Sequence, residues 1–277
     1  MSKFEIVTLK TGIKSLRSLE YQETFHPVTG PWAEAQILHV DQQGLRERSQ
    51  EFEKFVIWDV GFGAAANSLA AVAALQNLSG NVTIHSFEKD LSSLQFALSY
   101  AGELGYLEEF RPLLEKLLES GVAQIREDFL WKLHVGDFRK QLENSGLPSP
   151  HAILYDPYSP QSNPEVWNLE HFEALYLRLD SNVPCLLTNY TRSTAVRVTL
   201  LMAGFFVGRG CEVGEKAETT VVSNRLDLLQ DPLGPIWLDR VRVSGNAAPM
   251  RGDVYSQGRI SPQDFERLCA HPQFCTA

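Results

Sequence analysis

The sequence predicts an α/β fold in which apolar strands alternate with helices around a mostly parallel sheet. Residues 55–60 (FVIWDV) form an apolar strand that runs into a glycine turn and an alanine-rich helix. A second apolar strand, 82–87, ends on Glu88, and a third segment, 131–138, contains Gly136-Asp137 at its end. The carboxyl ends of parallel strands meet at one edge of an open sheet, where ligands bind. We therefore expect a ligand site at this edge.

Length and composition are those of an ordinary globular protein. The chain has 277 residues, 44% of them hydrophobic and 21% charged, enough for one large core or a core with appended parts. No apolar run approaches the ~20 residues that cross a bilayer, and residues 1–14 lack the apolar core of a signal peptide, so we expect a cytoplasmic location and no membrane contact. The cysteines lie far apart or near the tail and are expected to be free thiols: Cys185, Cys211, Cys269 and Cys275.

Three units are predicted along the chain. Residues 1–54 are interpreted as a β-rich N-terminal arm or lobe, 55–224 as the core, and 225–277 as a C-terminal extension packed on the core. Hydrophobic periodicity and turn residues predict the elements that follow the first core strand. In chain order they are a helix ending near 78, a helix at 91–104, an amphipathic stretch at 107–118, a helix from 164, a strand at 183–190, a helix at 193–202, an antiparallel pair at 205–210 and 219–223 that completes a seven-stranded sheet, and a short helix at 262–269.

The glycine turn after the first core strand predicts a nucleoside site. Gly61 and Gly63 allow a tight turn and a close approach to a ligand, and Ala66 lets helix and strand pack closely, as in the G-x-G-x-x-A form of dinucleotide sites. Glu88, at the end of the next strand, is placed to accept hydrogen bonds from ribose hydroxyls. Asp59 gives the form Asp-x-Gly-x-Gly, which resembles the first motif of class I S-adenosylmethionine methyltransferases.

The acids near this turn favour S-adenosylmethionine over a pyrophosphate cofactor. Pyrophosphates bind at a helix N-terminus, whereas a sulfonium nucleoside needs acids and carbonyls for its amino and hydroxyl groups. The sequence contains no Walker lysine pattern, no Cys-x-x-Cys pair and no His-Glu-x-x-His helix, so neither ATP nor a metal is expected. The seven histidines are scattered, and each is interpreted as structural or surface-exposed.

Asp156 is the predicted catalytic residue. The apolar run 153–155 stops on Asp156-Pro157, which is typical of a buried strand that leads into a proline-stiffened loop. An ordinary strand-to-helix turn with the aspartate as a cap is the alternative interpretation. The Pro157-Tyr158 pair resembles the Asp-Pro-Pro-Tyr loop of amino-group methyltransferases, which holds a nitrogen nucleophile. Asp156 is therefore expected to orient an amine and to take part in removing its proton.

Several motifs occur together at the predicted ligand edge. They are Gly61-Phe62-Gly63 with Asn67, Ser86-Phe87-Glu88-Lys89, Gly136-Asp137, and the stretch from Asp156 to Trp167 with its Asn163-Pro164-Glu165 segment. In this combination, over roughly residues 21–224, the sequence resembles the methyltransferase half of the bifunctional tRNA 5-methylaminomethyl-2-thiouridine biosynthesis protein MnmC and its stand-alone relatives. The segment 30–40 is similar to the family's substrate-side stretch, with Glu34 at the position of its acid.

This resemblance implies a class I, Rossmann-like methyltransferase that methylates the 5-aminomethyl nitrogen of the tRNA wobble uridine. The cofactor would be bound by Asp59, Gly61, Phe62, Gly63, Asn67, Glu88, Lys89, Asp137 and Phe138. The glycines would face the methionine part, Glu88 the ribose and Asp137 the adenine amino group. The substrate would be bound by Glu34, Pro157, Tyr158 and Arg192, with Asp156 as the catalytic residue. The chain carries no flavin oxidase half, so a separate flavin oxidase is expected to act upstream.

The acidic charge of the chain is compatible with substrates other than tRNA. The family's basic Arg-Lys-Arg cluster is replaced by Glu215-Lys216-Ala217, and the net charge is −9 with a pI near 5.3, whereas phosphate contacts supply most nucleic-acid affinity. Four arginines form either a local basic face or a solvated surface: Arg192, Arg197, Arg209 and Arg225. Tyr158 and Trp167 are candidates to stack on a flipped base, and Trp167 fits a core position equally well. The alternatives are an N-methyltransferase for a small-molecule or protein amine and a non-catalytic S-adenosylmethionine-binding protein. The oligomeric state is not predicted.

Overall fold

The computed structural model describes residues 2–214 and 217–275. A central eight-stranded sheet is flanked by helices, and a small three-stranded sheet precedes it in the chain. Within those ranges no helix is long and apolar enough to cross a membrane. All four cysteines lie in the described residues and are free thiols.

Residues 1–54 begin with strands and continue as helices. β1 (Phe4–Thr8) pairs antiparallel with β2 (Lys14–Ser18), which pairs antiparallel with β3 (Glu23–Thr24). Three helical segments follow: α1 (Pro31–Ala35), a π-helix (Gln36–Asp41) and α2 (Leu45–Arg48). The sequence analysis predicts only the β part of this unit. Pro31 occupies the first turn of α1, a position that proline favours.

The central sheet matches the predicted fold class. Its strands are β4 (Lys54–Val60), β5 (Asn81–Glu88), β6 (Val122–Arg126), β7 (Phe129–Val135), β8 (Ala152–Tyr155), β9 (Leu186–Asn189), β10 (Phe206–Gly210) and β11 (Thr219–Ser223). They are arranged in the order β10-β11-β9-β8-β4-β5-β7-β6. Neighbouring strands from β9 to β7 in this order pair parallel, whereas the pairs β10-β11, β11-β9 and β7-β6 are antiparallel. β4 is buried beyond its first residue, as expected for a strand covered on both faces.

The sheet has one strand more than the predicted seven. The additional strand is β6, which pairs with β7 at the edge of the sheet. Only one of its five residues is buried, and the strand lacks the apolar run from which the other core strands were recognised.

Helices fill the connections between the strands. They are α3 (Ala66–Leu75), α4 (Ser92–Ser99), α5 (Ala101–Leu104), α6 (Arg111–Ser120), α7 (Phe138–Gln141), α8 (Leu169–Leu177), α9 (Thr194–Met202), α10 (Ile236–Val243), α11 (Pro262–Cys269) and α12 (Pro272–Cys275), with 3-10 turns at Pro164–Val166 and Leu226–Leu228. α1 and the π-helix pack against α3, and the π-helix also contacts β9. This packing brings the chain between β3 and α1 over the carboxyl edge of the sheet.

The helix predicted from residue 164 is divided into two pieces. A 3-10 turn starts at Pro164, and α8 starts after Asn168, whose side chain accepts the backbone N–H of His171 at 2.8 Å. Asparagine is a favoured cap because its oxygen satisfies a free amide of the first turn.

Residues beyond 225 pack beside β10. The side chain of Gln273 accepts the N–H of Val207 at 2.8 Å and donates to the carbonyls of Val207 and Leu233 at 2.7 and 2.8 Å. Trp237 and Leu268 are buried in the same apolar cluster as residues of β8 and β9. The division of the chain into three units at 54 and 224 stays a prediction.

Candidate functional site

A cavity of about 810 Å³ opens at the carboxyl ends of β4, β5 and β8. The glycine turn after β4, Glu88 at the end of β5 and the loop from Asp156 form one side. The segment from β2 to α1, including His26 and Glu34, forms the other. The volume is typical of small-molecule and cofactor sites. The cavity therefore lies at the sheet edge where the sequence predicts a ligand site.

The glycine turn is shaped for close approach. Gly61 and Gly63 have φ angles of 85° and 54°, in the left-handed region that favours glycine. A Cβ on Gly61 would lie 2.7 Å from the carbonyl carbon and oxygen of Asp156, so no other side chain fits there. The N–H groups of Gly61 and Phe62 both donate to the carbonyl of Phe87 at 3.2 Å, which ties the turn to β5.

The Glu88 carboxylate joins this turn to the end of β5. Its Oε2 accepts the N–H of Gly63 at 2.9 Å, and its Oε1 accepts the N–H groups of Lys89 and Asp90 at 2.7 and 3.3 Å. Burial raises the pKa of Glu88 above its ordinary value, against the opposing effect of these bonds. A carboxylate oxygen can accept two hydrogen bonds. Oε1 already accepts two, so Oε2 is the atom that can receive a hydroxyl donor from a ligand in the cavity.

Asp156 is held in place from two directions. Its backbone N–H donates to the carbonyl of Val60 at 2.9 Å, and its Oδ2 accepts a hydrogen bond from the side-chain amide of Asn67 at 2.9 Å. The helical turns that follow begin after Asn163 and Asn168. The aspartate is therefore not the N-cap residue of either helical turn. Its carboxylate faces the cavity instead.

His26 and Glu34 lie opposite this carboxylate. His26 Nε2 is 3.6 Å from Asp156 Oδ2, and His26 Nδ1 is 3.8 Å from Glu34 Oε2. Glu34 is fixed because its Oε1 accepts the backbone N–H groups of Val28 and Thr29 at 3.1 and 3.0 Å. The sequence analysis assigns no histidine to the site, and the structure places His26 in the lining of the cavity.

An aromatic wall closes one end of the cavity. The ring of Tyr158 lies 4.3 Å from that of Tyr21 and 5.5 Å from that of Phe25, measured between centroids. All three residues line the cavity. Trp167, in contrast, is fully buried and donates its indole N–H to the carbonyl of Tyr158 at 2.8 Å. Of the two stacking positions considered from the sequence, Trp167 is thus a core residue that supports the loop.

Comparison with known proteins finds similar methyltransferases. A family model described as S-adenosyl-L-methionine-dependent methyltransferase matches residues 108–225. The crystal structure of MNMC2 from Aquifex aeolicus superposes with a TM-score of 0.73 at 28% identity, covering 98% of this chain and 84% of that one. The chain is thus similar to S-adenosylmethionine-dependent methyltransferases in both sequence and fold. The predicted class I fold and the predicted cofactor are confirmed.

Curated relatives of this methyltransferase carry the name tRNA 5-methylaminomethyl-2-thiouridine biosynthesis bifunctional protein MnmC. The one from Ralstonia nicotianae is 29% identical over 215 residues, which are 74% of this chain and 32% of the relative. The one from Burkholderia mallei is 27% identical over 202 residues, which are 67% of this chain and 30% of the relative. The resemblance to MnmC is confirmed, and the methyltransferase spans about a third of the length of these relatives.

Most residues predicted for the methyltransferase site line the cavity. They are Glu34, Gly61, Phe62, Gly63, Asn67, Glu88, Lys89, Asp156, Pro157 and Tyr158. Four other predicted site residues are not among the described residues that line the cavity: Asp59, Asp137, Phe138 and Arg192. The roles assigned to individual residues stay predictions.

Asp59 lies behind the glycine turn, inside the fold. It is fully buried, and its Oδ2 accepts the hydroxyls of Ser68 and of Ser86, the latter at 3.1 Å. Burial raises its pKa to about 7. Ser86 also accepts the indole N–H of Trp131 at 2.9 Å. This network fastens β4 to β5 and α3, so Asp59 supports the turn without reaching the cavity.

Asp137 is engaged locally. It caps α7 by accepting the N–H of Arg139 at 3.0 Å, and its carboxylate pairs with the Arg139 guanidinium at 2.7 Å. These hydrogen bonds lower the pKa of Asp137. Phe138 is buried against Trp58 and Phe87. A contact between the Asp137 carboxylate and an adenine amino group would therefore be made in addition to its ion pair with Arg139.

The basic face suggested by the sequence is not formed as expected. Arg197 is 1% exposed and donates to the Glu218 carboxylate at 2.9 Å, the Thr219 carbonyl at 2.7 Å and the Thr220 hydroxyl at 2.9 Å. A phosphate contact by Arg197 is therefore excluded. Arg209 pairs with Glu218 and Asp231 at 3.5 and 3.2 Å. Arg225 pairs with Asp227 at 2.6 Å, while Arg192 is exposed just after β9. The Glu215-Lys216 part of the replaced cluster lies outside the described residues.

The cavity itself is acidic. Its carboxylates are Glu20, Glu23, Glu34, Glu88, Asp90 and Asp156, against Lys3 and Lys89. Lys3 already pairs with Glu20 and Asp90 at 3.8 and 3.5 Å. Such a site attracts positively charged ligands. Across residues 2–214 and 217–275 no group of His, Cys, Asp and Glu is arranged to hold a metal ion.

Proposed function

We propose that the protein transfers a methyl group to the nitrogen of the 5-aminomethyl group of a tRNA wobble uridine, giving 5-methylaminomethyluridine. The observation that carries this proposal is the Asp156 carboxylate, which Asn67 holds in the cavity beside the glycine turn. The names of the MnmC relatives and the similarity to MNMC2 support tRNA as the substrate.

The residues around the glycine turn fit S-adenosylmethionine. Gly61 leaves no room for a side chain, and Gly63 holds its N–H against the Glu88 carboxylate, so backbone and acid face the cavity together. When bound, this cofactor supplies a methyl group on a positively charged sulfur. Glu88 would accept its ribose hydroxyls, and the acidic lining would complement its charge.

The other half of the cavity suits an amine. An aliphatic amine is protonated near neutral pH, and only its neutral form has a lone pair to attack a methyl group. Asp156 would attract the ammonium and accept a hydrogen bond from one of its N–H groups. This hydrogen bond would orient the nitrogen toward the methyl group. The ring of Tyr158, packed between Tyr21 and Phe25, would stack on the uracil and hold the base out of the anticodon loop.

A second candidate is an N-methyltransferase that acts on a small-molecule or protein amine. The net charge of −9 and the ion pairs of Arg197 and Arg209 favour it, because few basic side chains are left to contact phosphates.

Mass analysis of nucleosides from bulk tRNA of a strain lacking the protein separates the two candidates. The wobble-uridine assignment requires that 5-aminomethyluridines accumulate and 5-methylaminomethyluridines disappear. An unchanged nucleoside profile would reject it and favour a non-tRNA amine. The preceding deacylation would be the task of a separate flavin oxidase.

A further inference from the structure

We propose that His26 accepts the proton that the amine loses on methylation, with Asp156 orienting the amine and Glu34 orienting the imidazole. This inference rests on the proposed function, because it requires an amine nucleophile beside Asp156.

The imidazole of His26 is placed between two fixed carboxylates. Its Nε2 is 3.6 Å from Asp156 and its Nδ1 is 3.8 Å from Glu34, so one ring nitrogen faces each acid. At these distances a water molecule or a small movement on substrate binding completes the hydrogen bonds. The side chain is 13% exposed and lines the cavity, so a proton on it can leave to solvent.

The backbone of His26 holds the ring in this position. Its φ angle is 46°, in the left-handed region that few residues other than glycine adopt. Such conformations cost free energy, and they persist where the surrounding structure imposes them, often at functional sites. The next residue is Pro27, and Glu34 accepts the N–H groups of Val28 and Thr29, so the segment after His26 is fixed.

Three other titratable groups near this position are poor proton acceptors: Tyr190, Tyr158 and His39. Tyr190, in the loop after β9, lines the same cavity, and burial raises its pKa well above the ordinary value, so it stays protonated. Burial likewise raises the pKa of Tyr158. His39, in the π-helix, is fully buried and bonds to Thr188 at 2.8 Å, and burial with nearby His26 lowers its pKa to about 3.

The step balances in atoms and charge. The amine nitrogen forms a bond to the methyl carbon, and the carbon–sulfur bond breaks with its electron pair on sulfur. Before this bond forms, the bound ammonium gives one proton to Nε2 of His26, directly or through one water, and the lone pair left on nitrogen makes the new bond. The methylated amine keeps its remaining two protons and one positive charge. The imidazolium formed lies between the carboxylates of Asp156 and Glu34, which stabilise its charge until solvent removes the proton.

The test uses His26→Asn, because asparagine tolerates a positive φ, with His271→Asn as a control on the far loop before α12. Single-turnover methylation of tRNA carrying 5-aminomethyluridine is followed from about pH 5 to 9. We expect His26→Asn to slow the reaction about 10²-fold near pH 7. Its rate should recover at higher pH, where the amine loses its own proton. Added imidazole should restore part of the activity of His26→Ala.

A binding measurement accompanies the kinetics. With S-adenosylhomocysteine present, 5-aminomethyluridine should move the NMR signals of the His26 ring towards those of imidazolium, whereas 5-hydroxymethyluridine should not. A wild-type rate and pH profile in a folded His26→Asn variant that binds cofactor normally would overturn the inference and leave the proposed function intact. If the wild type methylates no aminomethyl tRNA, the proposed function itself fails.

Discussion

The Asn67 side chain donates a 2.9 Å hydrogen bond to the carboxylate of Asp156, 89 residues away in the sequence. Asn67 lies in the first turn of α3, directly after the glycine turn, and Asp156 follows β8. The bond therefore connects the cofactor side of the cavity to the residue expected to orient the nucleophile. It fixes the carboxylate before any ligand binds, which lowers the cost of aligning an amine.

Asp156→Asn should lower the rate of methyl transfer about 10²-fold or more, because the amide cannot attract or orient an ammonium as a carboxylate does. The affinity for S-adenosylmethionine should stay nearly unchanged. Single-turnover assays and calorimetry on the same preparation measure the two effects. An equal loss of cofactor binding would show that Asp156 belongs to the cofactor site.

Glu88→Gln should weaken S-adenosylmethionine binding by about 1–3 kcal/mol, since a charge-assisted hydrogen bond to the ribose is lost. Glu109→Gln, at an exposed position on the loop before α6, is the matched control and should bind normally. Calorimetry gives both values. Unchanged affinity in Glu88→Gln would remove this residue from the cofactor site.

Tyr158→Ala should raise KM for the tRNA substrate, since stacking on one base is worth about 1–3 kcal/mol. Tyr158→Phe keeps the ring beside Tyr21 and Phe25 and should behave like the wild type. Steady-state kinetics with modified tRNA compares the two variants. An equal rise of KM in both variants would mean that the Tyr158 hydroxyl, and not its ring face, contributes to tRNA binding.

Local patterns were sufficient to predict the sheet edge and the residues on it. An apolar run followed by glycine or an acid is recognisable in the sequence, and this is how the glycine turn, Glu88 and Asp156 were found. His26 and Tyr21 depend on how the segment between β2 and α1 folds over that edge. A long-range contact of this kind leaves no local periodicity, so a single histidine there could not be told from a surface residue.

Arg197 and Asp59 show the opposite limitation of sequence-based prediction, because they look like site residues but lie inside the fold. Both carry a charge that looks functional in the sequence, and both are buried in hydrogen-bond networks of the fold. Whether such a side chain is buried depends on its neighbours in the fold, which are Ser86 for Asp59 and Thr219 and Thr220 for Arg197. These neighbours are brought together by the order of strands in the sheet. Residue type alone therefore overstates the number of side chains available to ligands.

Two arginines should separate stability from tRNA binding. Arg197→Ala leaves the partly buried Glu218 carboxylate without its closest cation and should lower the free energy of unfolding by about 3–5 kcal/mol, measured with urea. Arg192→Ala should leave stability unchanged and, if Arg192 contacts a phosphate, reduce the log–log salt slope of tRNA binding by about one. An unchanged slope in Arg192→Ala would place the phosphates elsewhere.

Asp59 predicts a pH dependence of stability. Burial raises its pKa from 3.8 to about 7 in the folded protein, so the folded state holds the proton more tightly than the unfolded chain. Its contribution is greatest below about pH 4 and is lost as the pH rises through 7, a change on the order of 2–4 kcal/mol. Asp59→Asn should therefore lose less stability than the wild type between pH 5 and 8 in urea unfolding. Parallel losses in both proteins would mean that Asp59 is ionised throughout this range.

Methyl transfer to two preparations of one tRNA tests the central claim most directly. One preparation carries 5-aminomethyluridine at the wobble position, and the other carries unmodified uridine. With purified protein and labelled S-adenosylmethionine, the account predicts one methyl group per molecule in the first preparation, recovered as 5-methylaminomethyluridine by mass spectrometry, and none in the second. Equal labelling of both tRNAs, or labelling of a small amine with no transfer to either tRNA, would contradict it.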